Sequence, residues 1–257
     1  MDGKERREQQ ELYVVKSNDL IQKARYNLTV QQQKMVLYCI SKIKKNDEPN
    51  KLYEFSIEEI CSVLNLDLDS GGFYYHSLKN DFIKLSSRHW VRFPDNSEGT
   101  FSWFSDAYVI PLSGTVQVRF HEKLAPYLFE LVNRYTQYQL YEVLVFKNKY
   151  AIRLYEIIRS YLTQNELRDR EEKDITITIE NLRELLCTPQ YKMWNDINRF
   201  CIRPAIEEIN NLSDIIRVEY EPLKGRGRSF DRIRFTITYP NMMQKFEAHQ
   251  EMRKRLT

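Results

Sequence analysis

The sequence predicts an α+β chain in which one plan, a helix, a strand, two crossing helices and a β-hairpin, is used twice in tandem. Three observations carry that prediction. Ser56-Ile57-Glu58-Glu59-Ile60-Cys61-Ser62-Val63-Leu64 aligns without a gap with Thr178-Ile179-Glu180-Asn181-Leu182-Arg183-Glu184-Leu185-Leu186, keeping hydroxyl, Ile, Glu and apolar residues in register. Upstream of each lies a helical stretch with Leu-Tyr-x-Ile, first Leu37-Tyr38-Cys39-Ile40 and then Leu154-Tyr155-Glu156-Ile157. Downstream of each comes a longer amphipathic helix and then alternating strands. Shared order as well as shared residues points to duplication. The order is that of a winged helix-turn-helix, so two such domains are expected, at 1–138 and at 139–257, the latter ending in a polar tail.

Each element has a local cause. In the first copy, Thr29 with Gln32 three residues on forms a capping box, and Met35, Val36, Ile40 and Ile43 continue a helical apolar face. Leu52-Tyr53-Glu54-Phe55 alternates as a short strand, and Ser56 caps the next helix with Glu59 three residues on. A turn at 67–72 leads to a third helix with Tyr75, Leu78, Phe82 and Leu85 at helical spacing. Strands at 89–93, 100–110 and 115–120 follow, parted by Pro94-Asp95-Asn96-Ser97-Glu98-Gly99 and by Ser113-Gly114. The segment 122–146 joins the copies. In the second copy a helix at 150–162 precedes the strand Ile175-Thr176-Ile177-Thr178-Ile179, a short helix at 180–186 and a longer one at 193–210. Strands at 215–220 and 229–238 then flank Leu223-Lys224-Gly225-Arg226-Gly227-Arg228 as a hairpin, and 240–257 is the tail, whose closing Arg253-Lys254-Arg255 reads as solvated chain.

Composition bounds the function. Of 257 residues 42% are hydrophobic and 13% aromatic, enough for two cores. No stretch approaches the ~18 apolar residues of a membrane span, and Met1-Asp2-Gly3-Lys4-Glu5-Arg6-Arg7-Glu8 lacks the apolar core of a secretory signal. A cytoplasmic chain is the expectation. The 39 basic and 36 acidic residues nearly cancel to a net charge of +3, so any case for nucleic acid rests on where the charges lie. Cys39, Cys61, Cys187 and Cys201 form no C-x-x-C pair and fall among apolar residues at helical spacing, which predicts reduced, buried thiols.

The helix at 193–210 is the first candidate site. Steps of about 100° gather Trp194, Ile197, Cys201, Ala205 and Ile209 on one side, flanked by Ile202, and that side must be core. Arg199, Arg203 and Asp196 fall opposite, with Phe200 among them and Asn195 at the edge. Such a face suits the major groove: arginine grips guanine O6 and N7, asparagine does the same with adenine, and an apolar side chain meets a thymine methyl. Its alternative is a solvated surface on which Arg199 and Arg203 pair with Glu207. Position as the second helix of a helix-turn-helix, together with an otherwise wetted Phe200, favours DNA.

The hairpin tip is the second candidate. Lys224, Arg226 and Arg228 interleave with Gly225 and Gly227, and Arg232 and Arg234 follow, with Asp231 the single acid. Glycines let backbone approach a phosphate closely, and clustered cations displace counterions without regard to sequence. An ordinary soluble turn is the alternative. In the first copy the matching helix face holds His76, Ser77, Asn80 and Lys84, and its hairpin has Arg88 and Arg92 but an acidic turn at 95–98. The second copy is therefore expected to dominate affinity, while the first adds weaker DNA contact or dimerises.

Catalysis has little support. There is no G-x-x-x-x-G-K-[ST], and Gly71-Gly72 runs into Phe73-Tyr74-Tyr75 rather than a phosphate cradle. His76, His89, His121 and His249 lack metal-ligand spacing, and a DNA-nicking enzyme would need paired histidines on one strand where His121 stands alone. The 17 tyrosines read as core and surface aromatics. No catalytic residue, metal or cofactor is expected.

The motifs Tyr150-Ala151-Ile152-Arg153-Leu154-Tyr155-Glu156, Ile179-Glu180-Asn181-Leu182-Arg183-Glu184-Leu185, Arg203-Pro204-Ala205-Ile206-Glu207-Glu208-Ile209-Asn210 and the Gly-Arg hairpin ahead of Arg232-Ile233-Arg234-Phe235 together resemble the iteron-binding replication initiators of plasmids. Ala24-Arg25-Tyr26 and Leu28-Thr29-x-x-Gln32 resemble the same family's opening helices. The likeness runs from about Val14 to Tyr239, and its most specific part is the Pro204 motif, since proline inside a helix is unusual. Pro204 is read as the change from DNA-reading to core-packing portions of its helix. The resemblance implies a bacterial chain that binds directly repeated duplex sites at an origin as a monomer, opens the origin and recruits host replication proteins such as a helicase or its loader. It further implies dimers joined through the N-terminal domain that repress the gene. By position, Asn195, Arg199 and Arg203 would read bases, and the tip from Lys224 to Arg228 would hold the backbone. The stretch Asn195-Asp196-Ile197-Asn198 is less basic than in the family, and Asp196 is left to accept from cytosine. A transcription regulator of the same fold is the competing reading.

Overall fold

The computed structural model describes residues 12–64, 66, 73–87, 89–92, 97–111, 113–162, 172–225, 227 and 229–239. The expected turn at 67–72, the first half of the turn expected at 94–99, Arg88, Arg226, Arg228 and the tail 240–257 lie outside the described residues.

The first unit runs β1 (Tyr13–Ser17), α1 (Asn18–Lys23), α2 (Val30–Ser41), β2 (Leu52–Ser56), α3 (Ile57–Leu64), α4 (Phe73–Ser86), β3 (His89–Arg92), β4 (Glu98–Phe101), β5 (Phe104–Ile110) and β6 (Thr115–Phe120). A short 3₁₀ turn (Glu122–Leu124), α5 (Ala125–Leu128), β7 (Tyr135–Gln139) and α6 (Tyr141–Leu144) lead to α7 (Lys149–Leu162). The second unit continues with β8 (Glu172–Thr178), α8 (Ile179–Leu185), α9 (Trp194–Ile197), a π-helical turn (Asn198–Ile202), α10 (Arg203–Leu212), β9 (Arg217–Lys224) and β10 (Phe230–Thr238).

The duplication is visible in the sheets. One has the order β2-β6-β5 and the other β8-β10-β9, so in each the strand that enters the helical pair lies against the last strand of the hairpin. The matching caps agree: Ser56 Oγ accepts from Glu59 N at 3.3 Å and Thr178 Oγ1 from Asn181 N at 3.2 Å. The capping box at α2 also forms, with Thr29 Oγ1 accepting from Gln32 N and Gln32 Oε1 from Thr29 N. Each device satisfies amide groups that a helix start leaves without partners.

Four expectations need correction. The strand expected at 100–110 is two strands in different sheets, because the Trp103 amide donates to Leu85 O at 2.9 Å and Trp103 O accepts from His121 N at 3.1 Å, which draws the chain out of one ladder. The segment 122–146 is more than a connection, since its β7 pairs antiparallel with β1 from Tyr13↔Gln139 to Ser17↔Tyr135. Ile179 belongs to α8 rather than to the strand before it. Cys187 lies beyond α8 at φ +51° and is half-buried, unlike Cys39, Cys61 and Cys201.

Helix α7 joins the units. It packs on α1, α2 and β7 on one side and on α10 and β8 on the other. Arg153 is buried within that joint, donating to Ile21 O at 2.7 Å, Ala24 O at 3.0 Å and the Tyr26 hydroxyl at 3.0 Å, with its Nε 3.5 Å from Leu185 O. Glu156 pairs with buried Lys16 and accepts from the Tyr138 hydroxyl. Arg25 reaches Glu184 at 3.2 Å and Asn181 at 2.9 Å on α8. Among the described residues no helix is long and apolar enough to cross a membrane.

Candidate nucleic-acid interface

The turn between α8 and α9 is built by Arg183, whose guanidinium donates to Tyr191 O at 2.8 Å and Lys192 O at 3.0 Å, and by Thr188 N on Arg183 O at 3.0 Å. These bonds fix where the long helix begins. Its course is not regular. The Arg203 amide donates to Asn198 O, five residues back, so one turn is π-helical just before Pro204. Pro204 has no amide hydrogen to give, and its ring crowds the carbonyl four residues back in an ordinary α-helix; the wider turn relieves that conflict.

The π turn has a geometrical consequence. Ile197, Cys201, Ala205 and Ile209 are all fully buried, although they repeat every four residues. In an α-helix that spacing drifts by about 40° per step, or about 120° from Ile197 to Ile209. One extra residue in the π turn cancels most of it. On the opposite side Asn195, Arg199, Arg203 and Glu207 are all exposed at the same spacing and form one straight row. The Tyr220 hydroxyl on β9 donates to Asn198 Oδ1 at 2.8 Å and holds the π turn to the sheet. Burial raises the Tyr220 pKa, so the hydroxyl keeps its proton, and burial pushes the Cys201 thiol up to about 11, leaving it a neutral filler.

The predicted residues divide accordingly. Asn195, Arg199 and Arg203 stand together on the outward row. Arg203 is 4.0 Å from Glu207, a loose exposed pair, and the Arg199 guanidinium carbon lies 5.2 Å from the Phe200 ring centre. Phe200 is 47% exposed but belongs to the flank, stacked on Tyr191 at 5.2 Å and 18°. Its exposure therefore has a structural cause, the clamping of the α8–α9 turn. Asp196 is half-buried beside the row. Trp194, expected in the core, is also half-buried and packs on Phe230 at 6.1 Å, tying the start of the long helix to the root of the hairpin.

At the hairpin Lys224 is exposed, and Gly225 N donates to Ser229 O at 3.3 Å. A Cβ on Gly225 would come 2.3 Å from Asp231 Oδ2, so any larger residue there would have to turn the exposed Asp231 carboxylate aside. Arg232 turns to Asp231 at 3.2 Å and to Lys224 O at 3.4 Å, and Arg234 pairs with Glu221 at 3.0 Å. These exposed pairs are weak and leave the cations able to exchange partners. In the first unit His76, Asn80 and Lys84 are exposed on α4, but Ser77 turns inward and accepts from Gln31 Nε2 at 3.1 Å. Sequence reasoning did not single out Asn198, Tyr220 or Tyr191. The strict four-residue period of the apolar row was the signal that could have found the first two.

Residues 13–159 match the family described as "Initiator Replication protein, WH1" and residues 178–237 the one described as "Initiator Rep protein, WH2". A "Replication initiation protein" of Escherichia coli is 25% identical over 240 residues, covering 91% of this chain and 72% of its own. An "Uncharacterized 27.6 kDa protein" of Escherichia coli is 20% identical over 221 residues, covering 79% and 87%. Among solved structures, the Pi initiator protein, crystallised in complex with iteron DNA, superposes with a TM-score of 0.72 at 17% identity over 90% of this chain and 98% of that one. With both winged-helix domains matched in order over most of its length, the chain belongs to the initiator replication protein family.

Proposed function

We propose that this chain initiates replication of a plasmid by binding directly repeated duplex DNA sites, iterons, at the origin. The observation that carries the reading is the straight exposed row Asn195, Arg199 and Arg203, backed by a buried row and set beside a basic hairpin. Base edges in a major groove call for such a row on a rigid helix, and phosphates for the cations at its side. Support comes from the family and from the fold shared with an initiator solved on iteron DNA. In this reading the second domain, 139–257, supplies the main sequence-specific contacts through Asn195, Asp196, Arg199, Phe200 and Arg203 in the groove and Lys224, Arg226, Arg228 and Arg232 on the backbone. The first, 1–138, adds DNA contact through His76, Asn80 and Lys84 and joins dimers. The monomer opens the origin and recruits host replication proteins such as a helicase or its loader, and the dimer represses the gene. The chain acts by binding, in the cytoplasm, without catalysis of its own.

Nuclease footprinting on DNA flanking its own gene, with random competitor at moderate salt, tests this. Evenly spaced protected repeats are the expected result. A single protected operator would make the chain a transcription regulator of the same fold, and no protection would end the DNA-binding reading.

A further inference from the structure

Helix α4 is the second helix of the first helix-turn-helix, the position that α9 and α10 hold in the second. Its inward side is ordinary core, with Leu78, Phe82 and Leu85 buried. Its one acid, Asp81, is also buried, and each carboxylate oxygen accepts a bond of 2.8 Å, one from Gln31 Nε2 and one from Gln32 Nε2. The helix therefore brings no acid of its own to its outward side. It presents His76, Lys79, Asn80, Ile83 and Lys84, all exposed. Ile83 is 55% exposed, although a neighbouring position on the same helix would have buried it. Steps of about 100° place His76, Asn80 and Ile83 within about 60° of one another, with Lys79 and Lys84 on either side.

An apolar side chain between an amide and two cations matches one feature of duplex DNA. The thymine 5-methyl is the apolar group that the major groove displays among donors and acceptors, and phosphates line both rims. We propose that Ile83 is a specificity-determining residue of the first domain, packing on the 5-methyl of one thymine while Lys79 and Lys84 meet the flanking phosphates. The first domain then reads sequence as well as holding backbone. This inference rests on the reading of the chain as a duplex-binding initiator.

Deoxyuridine lacks only that methyl, so it isolates the contact. The probe is a duplex carrying one footprint-defined repeat, its thymines replaced one at a time by deoxyuridine, with a random duplex of equal length beside it. The full chain is expected to lose about three- to fivefold in affinity at one such position, the loss of one buried methyl contact. Ile83→Ala should lose a similar factor on the all-thymine duplex and nothing further at that position, and Ile83→Val should keep part of the effect. Random-duplex affinity and the unfolding midpoint should stay unchanged, since the side chain is exposed. The inference is overturned if Ile83→Ala binds the repeat as well as the parent, or remains as sensitive to every deoxyuridine. If the parent does not prefer the repeat over random duplex, the initiator reading falls and takes this contact with it; if the parent prefers it and Ile83→Ala behaves alike, only the contact falls.

Discussion

Arg199 and Arg203 share the outward row but not the same surroundings. Arg203 has Glu207 four residues on to compete for it, at 4.0 Å, whereas Arg199 rests near the Phe200 ring and faces outward with its donors available to a base. Arg199→Ala should therefore weaken binding to the cognate repeat by about 1–3 kcal/mol and relax discrimination at one base pair. Titration against single-base-pair variants measures this, and an equal loss on random duplex would make Arg199 a backbone contact instead. A second residue governs acid stability. Burial alone would raise the Asp47 carboxyl above its usual 3.8, but bonds from Lys51, the Lys44 amide and the Tyr53 hydroxyl outweigh it and hold the pKa below that value. A depressed folded pKa contributes stability that is complete above the unfolded value and is lost as pH falls through the folded one. Asp47→Asn should lower the urea midpoint at neutral pH and flatten its fall below the usual 3.8. An unchanged profile would show that the carboxylate contributes nothing to folding.

At the scale of elements, what was legible in the sequence was what is local. The caps at Thr29 and Ser56 lie within three residues of the amides they satisfy, so spacing alone reveals them, whereas Thr178, the matching cap, was hidden by the strand alternation that runs into it. Strand β7 was hidden for the opposite reason. Its inward residues, Thr136 and Tyr138, are polar and are held by Asn18 and Glu156, more distant in sequence than any pattern shows. The long helix at 193–210 was legible as a helix, yet its π turn was masked by the assumption of a constant step. That turn makes a prediction against ordinary helix behaviour. Deleting Asn198 should let the segment relax to a plain α-helix, since a separation of eleven steps brings Ile197 and Ile209 to within about 20° of one face. The loss should be that of the Tyr220 bond, on the order of 1 kcal/mol, together with about 3 kcal/mol from Pro204, whose ring again meets the carbonyl four residues back. Inserting alanine after Asn198 adds a second extra residue, rotates Ile197 off the core by about 100° and should cost more still. Urea unfolding of the two variants decides it, and equal losses would deny the π turn its role as absorber of the extra residue.

Over the whole molecule, α7 determines whether two domains behave as two. Ten of its fourteen residues are buried, and they belong to both units at once. Within the joint, Arg153 serves three acceptors at or below 3.0 Å, and Glu156 pairs with Lys16 where both are almost wholly buried, at 2% and 1% exposure. Buried charges of this kind add little net stability when paired, but removal of one partner leaves an uncompensated group and is strongly destabilising. Arg153→Met should thus lower stability by about 3 kcal/mol or more, through the unserved buried carbonyls of Ile21 and Ala24 and the lost bond to the Tyr26 hydroxyl. The tryptophans report where that loss is felt. Trp103 is buried in the first unit, and Trp194 packs on Phe230 in the second. In two chains, each keeping one of these and phenylalanine elsewhere, fluorescence-monitored urea curves should share a single cooperative transition. Arg153→Met should then shift both midpoints together, because α7 and Arg25 couple the cores through packing and through Glu184 and Asn181. If only the Trp103 curve moved, Arg153 would be a fixture of the first domain alone, and the joint would be a tether between independently folding units.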